Sequence, residues 1–416
     1  MILRSLRIVA VAILVAAPVP ASAQAASDTV IEWNAMMTST VGGQNPFAQA
    51  RFAAITQLAV FEAVNSITGE YEPYVEPIDA PAGSSAEAAA AKAAHDVLVT
   101  YFPGAAGTLD AALASTLAGL PDGASKDDGV AVGAAAAAAM IALRTGDGSA
   151  PPAFYQPTST APGEWQTTPT CPAAGGILFH WQNLTPFGVE SNSQFRSDPP
   201  PDLTSRRYTK DYAEVLAVGA ADSTARPADR AAVARLYAAV SAVGAWNAVA
   251  RALASEHPGS LTDHARALAL VNVAISDGLA SSMETKYHYR FWRPETAIRA
   301  GDADGNDRTT GRSDFAPYIA TPCFPGYPSA HASASYGARW ILERTWEGAA
   351  FSVTLSHPGA PGVAVNYTTL KQLTDDIDDA RVYGGIHFRF DQEAGGIQGH
   401  QIANYLLGHV LEDQDE

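Results

Sequence analysis

The sequence predicts an all-α protein, because alanine dominates its apolar residues and few segments alternate apolar and polar residues with period two. Ala-rich blocks at 86–94 and 131–139 favour helix over strand. Hydrophobic residues make up 47% of the chain and charged residues 17%, so a sizeable core can be buried. We therefore expect helical bundles with long irregular connecting loops.

The N-terminal half, 25–145, is expected to be helical throughout. Apolar spacing predicts two helices between Asp28 and Thr68, the second of which starts at Asn45-Pro46, since proline suits a first helical turn. A polar, proline-rich link follows. Pro-Gly and Pro-Asp-Gly segments then separate three predicted antiparallel helices, at about 84–102, 107–119 and 125–145.

The segment 146–202 differs from the rest of the chain. Proline, glycine, threonine and aromatic residues dominate it, and it has little helical periodicity. Its aromatic content argues against disorder, and a loop of this length is then usually functional. Two interpretations remain open: an ordered excursion that covers a functional site, or a structural wrap over the bundle.

Helical patterning resumes in the C-terminal half, 203–416. Helices are expected at about 203–220, 227–254, 261–292, 329–347, 367–382 and 390–411. A polar loop at 301–325 interrupts them. We expect 25–416 to form a single all-α domain in which both halves share one core.

Residues 1–24 are typical of a secretory signal peptide. Arg4 and Arg7 precede an apolar stretch, and Ala21-Ser22-Ala23 suits signal peptidase. The apolar run is short for a membrane span, and no later segment has 18 uninterrupted apolar residues. The expected mature protein is secreted or periplasmic and has no membrane contact after cleavage.

The net charge of −17 argues against nucleic acid or anionic lipid as a partner. Export would permit a disulfide between the only two cysteines, Cys171 and Cys323, which both lie in proline-containing loops. Two unpaired thiols are the alternative, and the sequence does not decide between them.

Against this acidic background, cationic residues gather in three segments. Lys286 and Arg293 are seven residues apart, which predicts one helix face near a helix end, and Pro294 helps to end that helix. The alternative is a solvated basic face, but the four aromatic residues between the two cations argue against a face that is purely solvated.

The second segment is Pro328-Ser329-Ala330-His331, which is expected to open a helix. A helix start presents free backbone N–H groups and a positive dipole end, so it suits an anion, although Ser329 could simply be a cap. His331 would be available as an acid or base.

The third segment runs from Arg381 to His387. Gly384-Gly385 should break the helix between them, so Arg381 ends one helix and His387 lies in the turn to the next. The two side chains could then converge on one point. The whole set suits a tetrahedral oxyanion.

Together, the three segments resemble the signature of the vanadium-dependent haloperoxidases, whose superfamily includes the type-2 phosphatidic acid phosphatases. The resemblance implies an all-α fold and bound vanadate. The residues expected to hold it are Lys286, Arg293, Ser329, Ala330, Arg381 and His387.

The resemblance also implies a role for each of these residues. His387 would coordinate vanadium, whereas the three cations and Ser329 would balance charge on the oxygens during catalysis. His331 would deprotonate hydrogen peroxide, which would oxidise a halide to a hypohalous species in the presence of a small organic acceptor. Related enzymes are often dimers or larger, so a homo-oligomer stays open.

Two positions depart from the family's pattern. Ala330 replaces the usual glycine, and Ala380 replaces the usual serine. Ala330 keeps its N–H but demands a non-positive φ. Phe324 and Met283 lie where related enzymes can carry halide-tuning residues.

Two other functions therefore remain open. The first is an acid phosphatase in which His387 is the nucleophile and His331 the acid. The second is a protein that binds phosphate or vanadate without turnover.

Weaker candidates lie outside these segments. The acidic turn 302–307 is typical of a solvated turn more than of a calcium loop, because its glycine is misplaced and no glutamate closes it. Asp277 could support a site cation or lie on the surface. We interpret His288, His400 and His409 as packing or surface residues.

Overall fold

The computed structural model describes residues 28–257 and 259–414, and it confirms the all-α fold. The predicted signal peptide lies outside the described residues. Thirteen α-helices and one two-stranded ribbon are present in the described part. The helices of the N-terminal half are α1 (Thr29–Val41), α2 (Pro46–Thr68), α3 (Ala86–Tyr101), α4 (Ala106–Ala118) and α5 (Ala124–Leu143).

The C-terminal half contains the remaining eight helices and the ribbon. These are α6 (Arg206–Val218), α7 (Ala228–Ala239), α8 (Ala242–Glu256), α9 (Leu261–Tyr289), α10 (Pro294–Arg299), α11 (Ala330–Thr345), α12 (Leu370–Tyr383) and α13 (Arg389–Leu407), with β1 (Val353–Ser356) and β2 (Ala364–Tyr367) between α11 and α12.

Helix α9 lies at the centre of the molecule. Every residue from 267 to 283 is buried, so this helix is surrounded on all sides by other elements. Helices α2, α11 and α13 pack against it. One hydrophobic cluster extends from Val30 to Leu411 and contains side chains from both halves of the chain. The last turn of α9, which contains Lys286, therefore lies close to the interior of the protein.

Several helix starts follow directly from the sequence. Asn45 caps α2, since its side-chain oxygen accepts hydrogen bonds from the N–H groups of Phe47 and Ala48, as the Asn45-Pro46 pair predicted. Asp28 caps α1 in the same way. Ser329 caps α11, which begins at Ala330, one residue later than predicted.

Three predictions about element boundaries are wrong. The helix expected at 227–254 is two helices, α7 and α8, with a 100° bend at the break, where Ser241 caps the second helix. The helix expected from 367 begins at Leu370, because Tyr367 belongs to the antiparallel ribbon of β1 and β2. Four-residue strands carry too short a pattern to be recognised beside helices.

The third boundary is the end of α9. This helix ends at Tyr289 and not near residue 292, because Arg290 adopts a left-handed conformation with φ 51°. A non-glycine residue in this region is unusual, so no glycine marks the stop. Arg293 is consequently extended, and Pro294 begins α10.

The segment 146–202 is ordered and is held against the rest of the protein by buried side chains and a disulfide. Trp165, Trp181 and Phe187 are buried. Cys171 forms a disulfide with Cys323, which settles the open question in favour of the bridge. The loop both wraps the bundle and contributes side chains to the cavity described below.

Among the described residues, no individual helix is both long and apolar enough to span a membrane. The pair α7 and α8 meets this criterion only when the two helices are taken together across their bend.

Close packing between α13 and α11 depends on glycine. A Cβ at Gly395 would lie 2.3 Å from the carbonyl oxygen of Ser329, and one at Gly399 would lie 2.0 Å from that of Ser333. No real Cβ tolerates such a distance, so any side chain would push the two helices apart. The glycines thus fix where the N-terminus of α11 lies.

We predict that Gly395→Ala lowers the free energy of unfolding by about 1–3 kcal/mol, because the added methyl must displace the backbone of Ser329. Urea unfolding followed by circular dichroism measures this. Gly107→Ala in α4 is the matched control, because a Cβ there meets nothing within 4 Å. The control should remain within about 1 kcal/mol of wild type. Equal stability of both variants would contradict the packing argument.

Candidate active site

The structure brings the seven predicted site residues to one place, where the five helices α9 to α13 begin or end. Lys286 comes from the last turn of α9, and Arg293 from the extended residue before α10. Ser329, Ala330 and His331 form the start of α11. Arg381 lies in the last turn of α12, and His387 lies in the turn before α13, as predicted.

Lys286 is completely buried and anchors the loop that precedes α11. Its ammonium group donates hydrogen bonds to the carbonyl oxygens of Pro325, Gly326 and Pro328. All three N–H donors are therefore used by backbone. Burial lowers the pKa of Lys286 well below its usual value, and the nearby charge of Arg293 lowers it further. Lys286 contributes charge to the site and rigidity to the loop.

Arg293 is also fully buried, but it is only partly paired. Its Nε donates to the carbonyl oxygen of Phe324 at 2.9 Å, and Nη1 donates to that of Ile386 and to Nε2 of His387 at 2.8 Å. Nη2 has no hydrogen-bond partner. Since Arg293 is not helical, the prediction that it shares a helix face with Lys286 is wrong. Proline at 294 excludes helical geometry there, and the guanidinium reaches His387 from an extended backbone.

His387 is oriented by a carboxylate that sequence reasoning missed. Its Nδ1 lies 2.7 Å from Oδ2 of Asp391, which also accepts from the N–H of Phe388. Asp391 therefore holds the proton on Nδ1 and leaves the lone pair on Nε2. An acidic residue four positions after a histidine, at the start of a predicted helix, was the signal available in the sequence.

Asp391 is the carboxylate nearest to this group of cations. Burial raises its pKa to about 7, against the opposing influence of Lys286 and Arg293. Its Oδ1 has no hydrogen-bond partner and is buried. Even when ionised, Asp391 supplies one negative charge against three cationic side chains.

His331 lies in the first turn of α11 and is partly exposed to a cavity. Its ring has no hydrogen-bond partner among the described residues. Burial lowers the pKa of His331 well below its usual value, and Arg381, Lys286 and Arg293 lower it further. The ring is consequently neutral at neutral pH and free to accept a proton.

The start of α11 adds neutral donors to the site. The Oγ of Ser329 accepts from the N–H of Ala332, so its hydroxyl hydrogen remains free to donate. Ala330 has a helical backbone and is absent from the residues with positive φ. The non-positive φ that the sequence analysis required of alanine at this position is therefore present. Its N–H group lies at the N-terminus of α11, which is the positive end of the helix dipole.

Arg381 completes the set of cations. Its Nη1 donates to the carbonyl oxygen of Tyr237 at 3.2 Å, whereas Nε is buried and unpaired. Burial lowers the pKa of Arg381 to about 10, so it stays protonated at neutral pH. Ala380, the residue before it, is fully buried, and its methyl side chain offers no hydrogen bond to the site.

These side chains fit an oxyanion. Buried charges in proteins are normally paired, and here three cations face at most one carboxylate. Unused donors remain on Arg293, Arg381, Ser329 and Ala330. Within 28–257 and 259–414, no group of three or more His, Cys, Asp or Glu side chains could hold a metal cation. Vanadate fits this donor set, because it is a tetrahedral anion with one metal centre that a histidine lone pair can reach.

A cavity of about 680 Å³ leads to the group. Ala330, His331, Arg381 and His387 line its inner end. Phe324 also lines it, and the ring centroid lies 5.4 Å from Nζ of Lys286 and 5.0 Å from Cζ of Arg293. Phe324 therefore stands between the cavity and these two cations.

The weaker candidates lie outside the site. Asp277 neither supports a site cation nor lies on the surface. It is completely buried and accepts from the N–H groups of Phe187, Gly188 and Val189, so it fixes this part of the long loop. In the predicted solvated turn, Asp304 is instead buried and bonds to Thr309.

The three histidines that the sequence analysis assigned to packing or the surface, His288, His400 and His409, are exposed. His288 lies on the surface at the end of α9. His400 packs on Trp340 with ring centroids 4.1 Å apart, and His409 stacks on Tyr405 at 4.2 Å. Met283 is completely buried.

A family model described as the VCPO second helical-bundle domain matches residues 266–415, which include every predicted site residue. No curated protein sequence matches the chain.

Solved structures resemble the fold over most of the chain. The first bacterial vanadium-dependent iodoperoxidase has 24% identity and a TM-score of 0.75, with 93% of this chain and 97% of that chain covered. Holo-type bacterial vanadium-dependent chloroperoxidase has 17% identity and a TM-score of 0.70, with 88% and 92% covered. The apo-type structure has 17% identity and a TM-score of 0.71, with 87% and 93% covered.

We predict that oxyanion binding strengthens as pH falls. The pKa of His331 is low in the anion-free protein and will rise when a negative charge is bound. Above the bound-state pKa the ring is neutral in both states, so it adds no pH dependence. Below that value the complex takes up a proton and affinity increases.

Sulfate is a suitable probe, because its charge is constant between about pH 5 and 8, where histidine titrates. Calorimetry in two buffers with different ionisation enthalpies measures the proton uptake directly. The uptake should be smaller in His331→Ala and unchanged in His288→Ala, the exposed control. Asp391, whose pKa burial raises to about 7, should supply the remainder. Unchanged uptake in His331→Ala would assign the proton to another group.

Proposed function

We propose that the protein is a vanadate-dependent haloperoxidase, a proposal supported by the match of residues 266–415 to the VCPO second helical-bundle domain. It would use hydrogen peroxide to oxidise a halide to a hypohalous species. The observation that carries the proposal is the buried excess of positive charge beside a histidine whose Nε2 lone pair is held ready by Asp391. This combination suits an oxyanion whose central atom accepts a nitrogen ligand.

Each residue has a definite task in this proposal. His387 would be the ligand of vanadium, and Arg293, which donates to the same Nε2, would turn its N–H groups to the oxygens of the anion. Arg381, Ser329 and Ala330 would donate from other directions. Lys286 would act through its charge, since its donors hold the loop before α11. Bound vanadate would supply Lewis-acid activation of peroxide without a change of metal oxidation state.

His331 would move the proton. Its neutral ring opens on the cavity through which hydrogen peroxide would arrive, so it can accept a proton from peroxide and return it to a product oxygen. The three fixed cations require no reorganisation as charge shifts during the reaction. A preorganised positive site of this kind lowers the barrier for peroxide as well as for halide, which is itself an anion.

Both iodide and chloride are plausible substrates by likeness, because the similar structures are an iodoperoxidase and a chloroperoxidase. We infer that iodide is oxidised most readily, since it is the most easily oxidised of the three common halides. Bromide is the informative intermediate case, and each halide can be assayed with the same protein.

We also propose that the protein is secreted or periplasmic. The N-terminal segment has the charged start, the apolar stretch and the Ala-Ser-Ala site of a signal peptide. The disulfide between Cys171 and Cys323 supports an oxidising compartment.

We predict that the purified protein oxidises iodide and brominates an activated diketone only after orthovanadate is added. Both reactions should fall to background in His387→Ala, because the nitrogen ligand is lost. His409→Ala is the control, since that ring is exposed and stacks only on Tyr405. Triiodide absorbance and loss of the diketone band are the measurements.

A phosphate ester assay on the vanadate-free protein separates the main alternative. Hydrolysis of the ester that vanadate inhibits, without any halide oxidation, would establish a phosphatase in which His387 is the nucleophile. Tight vanadate binding with neither reaction would establish a non-catalytic oxyanion binder.

We predict that Asp391→Asn weakens vanadate binding by roughly 10- to 100-fold, because the amide no longer fixes the proton on Nδ1 of His387. Asp375→Asn is the control, since that carboxylate is exposed and pairs only with Lys371. Vanadate titration followed by restored halide oxidation gives the affinity. Unaltered affinity in Asp391→Asn would show that Arg293 alone orients the ring.

A further inference from the structure

Arg381 is the most weakly anchored of the three buried cations. Within the described residues, Lys286 donates hydrogen bonds to three backbone carbonyl oxygens and Arg293 donates to two. In the same part of the chain, the side chain of Arg381 donates to one alone, that of Tyr237, at 3.2 Å. The direction of the Arg381 guanidinium therefore depends on the position of this carbonyl oxygen.

The carbonyl oxygen of Tyr237 is available because α7 ends here. In an uninterrupted helix it would accept from the N–H of Ser241. Ser241 is instead the N-cap of α8, and the two helices meet at a bend of 100°. The last carbonyl oxygens of a helix have no partner within it and form the negative end of its dipole, which suits a cation. The helix break that the sequence did not predict thus provides the acceptor for Arg381.

A chain of hydroxyl groups holds the side chain of the same tyrosine. The hydroxyl of Tyr237 donates to that of Tyr367 at 3.0 Å, and the hydroxyl of Tyr367 donates to Oδ2 of Asp376 at 2.8 Å. These directions follow because a carboxylate only accepts and each phenol has one hydrogen to donate. Both rings are buried, and burial raises the pKa of both phenols, so each keeps that hydrogen.

This chain of hydrogen bonds closes on the helix that carries Arg381. Asp376 lies in α12, five residues before Arg381. Its Oδ1 accepts from Nη1 of Arg230 at 2.6 Å, which joins α12 to the first turn of α7. Helices α7 and α12 are thus connected through Arg230 at one end of α7, and through Tyr367 and Tyr237 at the other.

The middle residue of the hydroxyl chain belongs to the two-stranded ribbon. Tyr367 is the last residue of β2 and pairs with Val353 of β1. In the turn of the ribbon, Gly359 approaches α7 so closely that an added Cβ would lie 3.1 Å from Cβ of Ala239. The ribbon therefore contacts the C-terminal end of α7 at two places, near Tyr237 and at Ala239.

We propose that Tyr367 is a positioning residue of the oxyanion site and acts through Tyr237 on Arg381. Its hydroxyl fixes the side chain of Tyr237, and the carbonyl oxygen of Tyr237 fixes the direction in which Arg381 presents its unused N–H groups. Tyr367 is not among the residues that line the cavity in the described part of the chain, so it does not touch the anion. The inference rests on the proposed vanadate binding and adds a residue from outside the three cationic segments.

The test compares Tyr367→Phe with wild type in calorimetric titrations of the vanadate-free protein with orthovanadate. The substitution removes one hydroxyl and keeps the buried ring. We expect the affinity to fall roughly tenfold, which is the lower end of the cost of losing a group that orients a ligand. Tyr405→Phe is the matched control, since its hydroxyl lies on the surface and donates to Glu190 at 3.3 Å. The control should bind orthovanadate as wild type does.

A double-mutant cycle separates positioning of Arg381 from a general loss of stability. Tyr367→Phe should lower the affinity only where Arg381 is present, and should change it by less than about twofold in the Arg381→Ala background. Its effect on the free energy of unfolding should be the same in both backgrounds. An equal fall in affinity in both backgrounds would overturn the proposal, and so would an unchanged affinity in the single variant Tyr367→Phe.

The guanidinium can also be followed without vanadate, by NMR of protein that contains isotope-labelled arginine. The Nε–H resonance of Arg381 is assigned by its absence from Arg381→Lys. This resonance should shift in Tyr367→Phe and stay in place in Tyr405→Phe, whereas that of Arg293, whose Nε donates to Phe324, should not move in either. An unmoved Arg381 resonance in Tyr367→Phe would overturn the proposal. Wild-type protein that does not bind orthovanadate would instead overturn the proposed function, and the resonance would still decide whether Tyr367 positions Arg381.

Discussion

The structure depends on keeping three cationic side chains buried together, with at most one carboxylate beside them. Removing each charge from water costs several kcal/mol even after the protein relaxes. Lys286 recovers part of this cost through three carbonyl oxygens, and Arg293 through two more. Unused donors on Arg293 and Arg381 are what remains uncompensated. An oxyanion would accept hydrogen bonds from these unused donors and balance the buried positive charge. The same buried cations that cost folding free energy would therefore provide the binding free energy.

The surrounding helices supply the rigidity that such a site needs. Helix α9 is buried from 267 to 283 and carries Lys286 in its last turn. Helix α13 approaches α11 so closely, at Gly395, that the Ser329 backbone has no room to move. The N–H of Ser329 donates to the carbonyl oxygen of Asp391, which ties the start of one helix to the start of the other. Preorganised donors of this kind act on developing charge without reorganisation.

The sequence predicted the helical class and the three segments that meet, because residue type and spacing carry that information locally. It did not predict the left-handed Arg290, which ends α9 without a glycine, or the break at Ser241 between two helical patterns. The role of Asp391 was missed because an acidic residue in the first turn of a helix is common and does not by itself indicate a functional site. Its meaning comes from its burial beside His387, which only tertiary contacts reveal. Asp277 was misjudged for the same reason, since its partners lie about 90 residues away.

Rigidity at the cavity wall bears on selectivity. The disulfide joins the long loop to Cys323, and the next residue is Phe324, whose carbonyl oxygen holds Arg293. The loop that lines the cavity is thus connected, through two residues, to the cation that contacts His387. A loosely attached lid could open for any acceptor, whereas this wall has one shape. Discrimination between molecules that enter the cavity would therefore follow from fixed walls and not from closure.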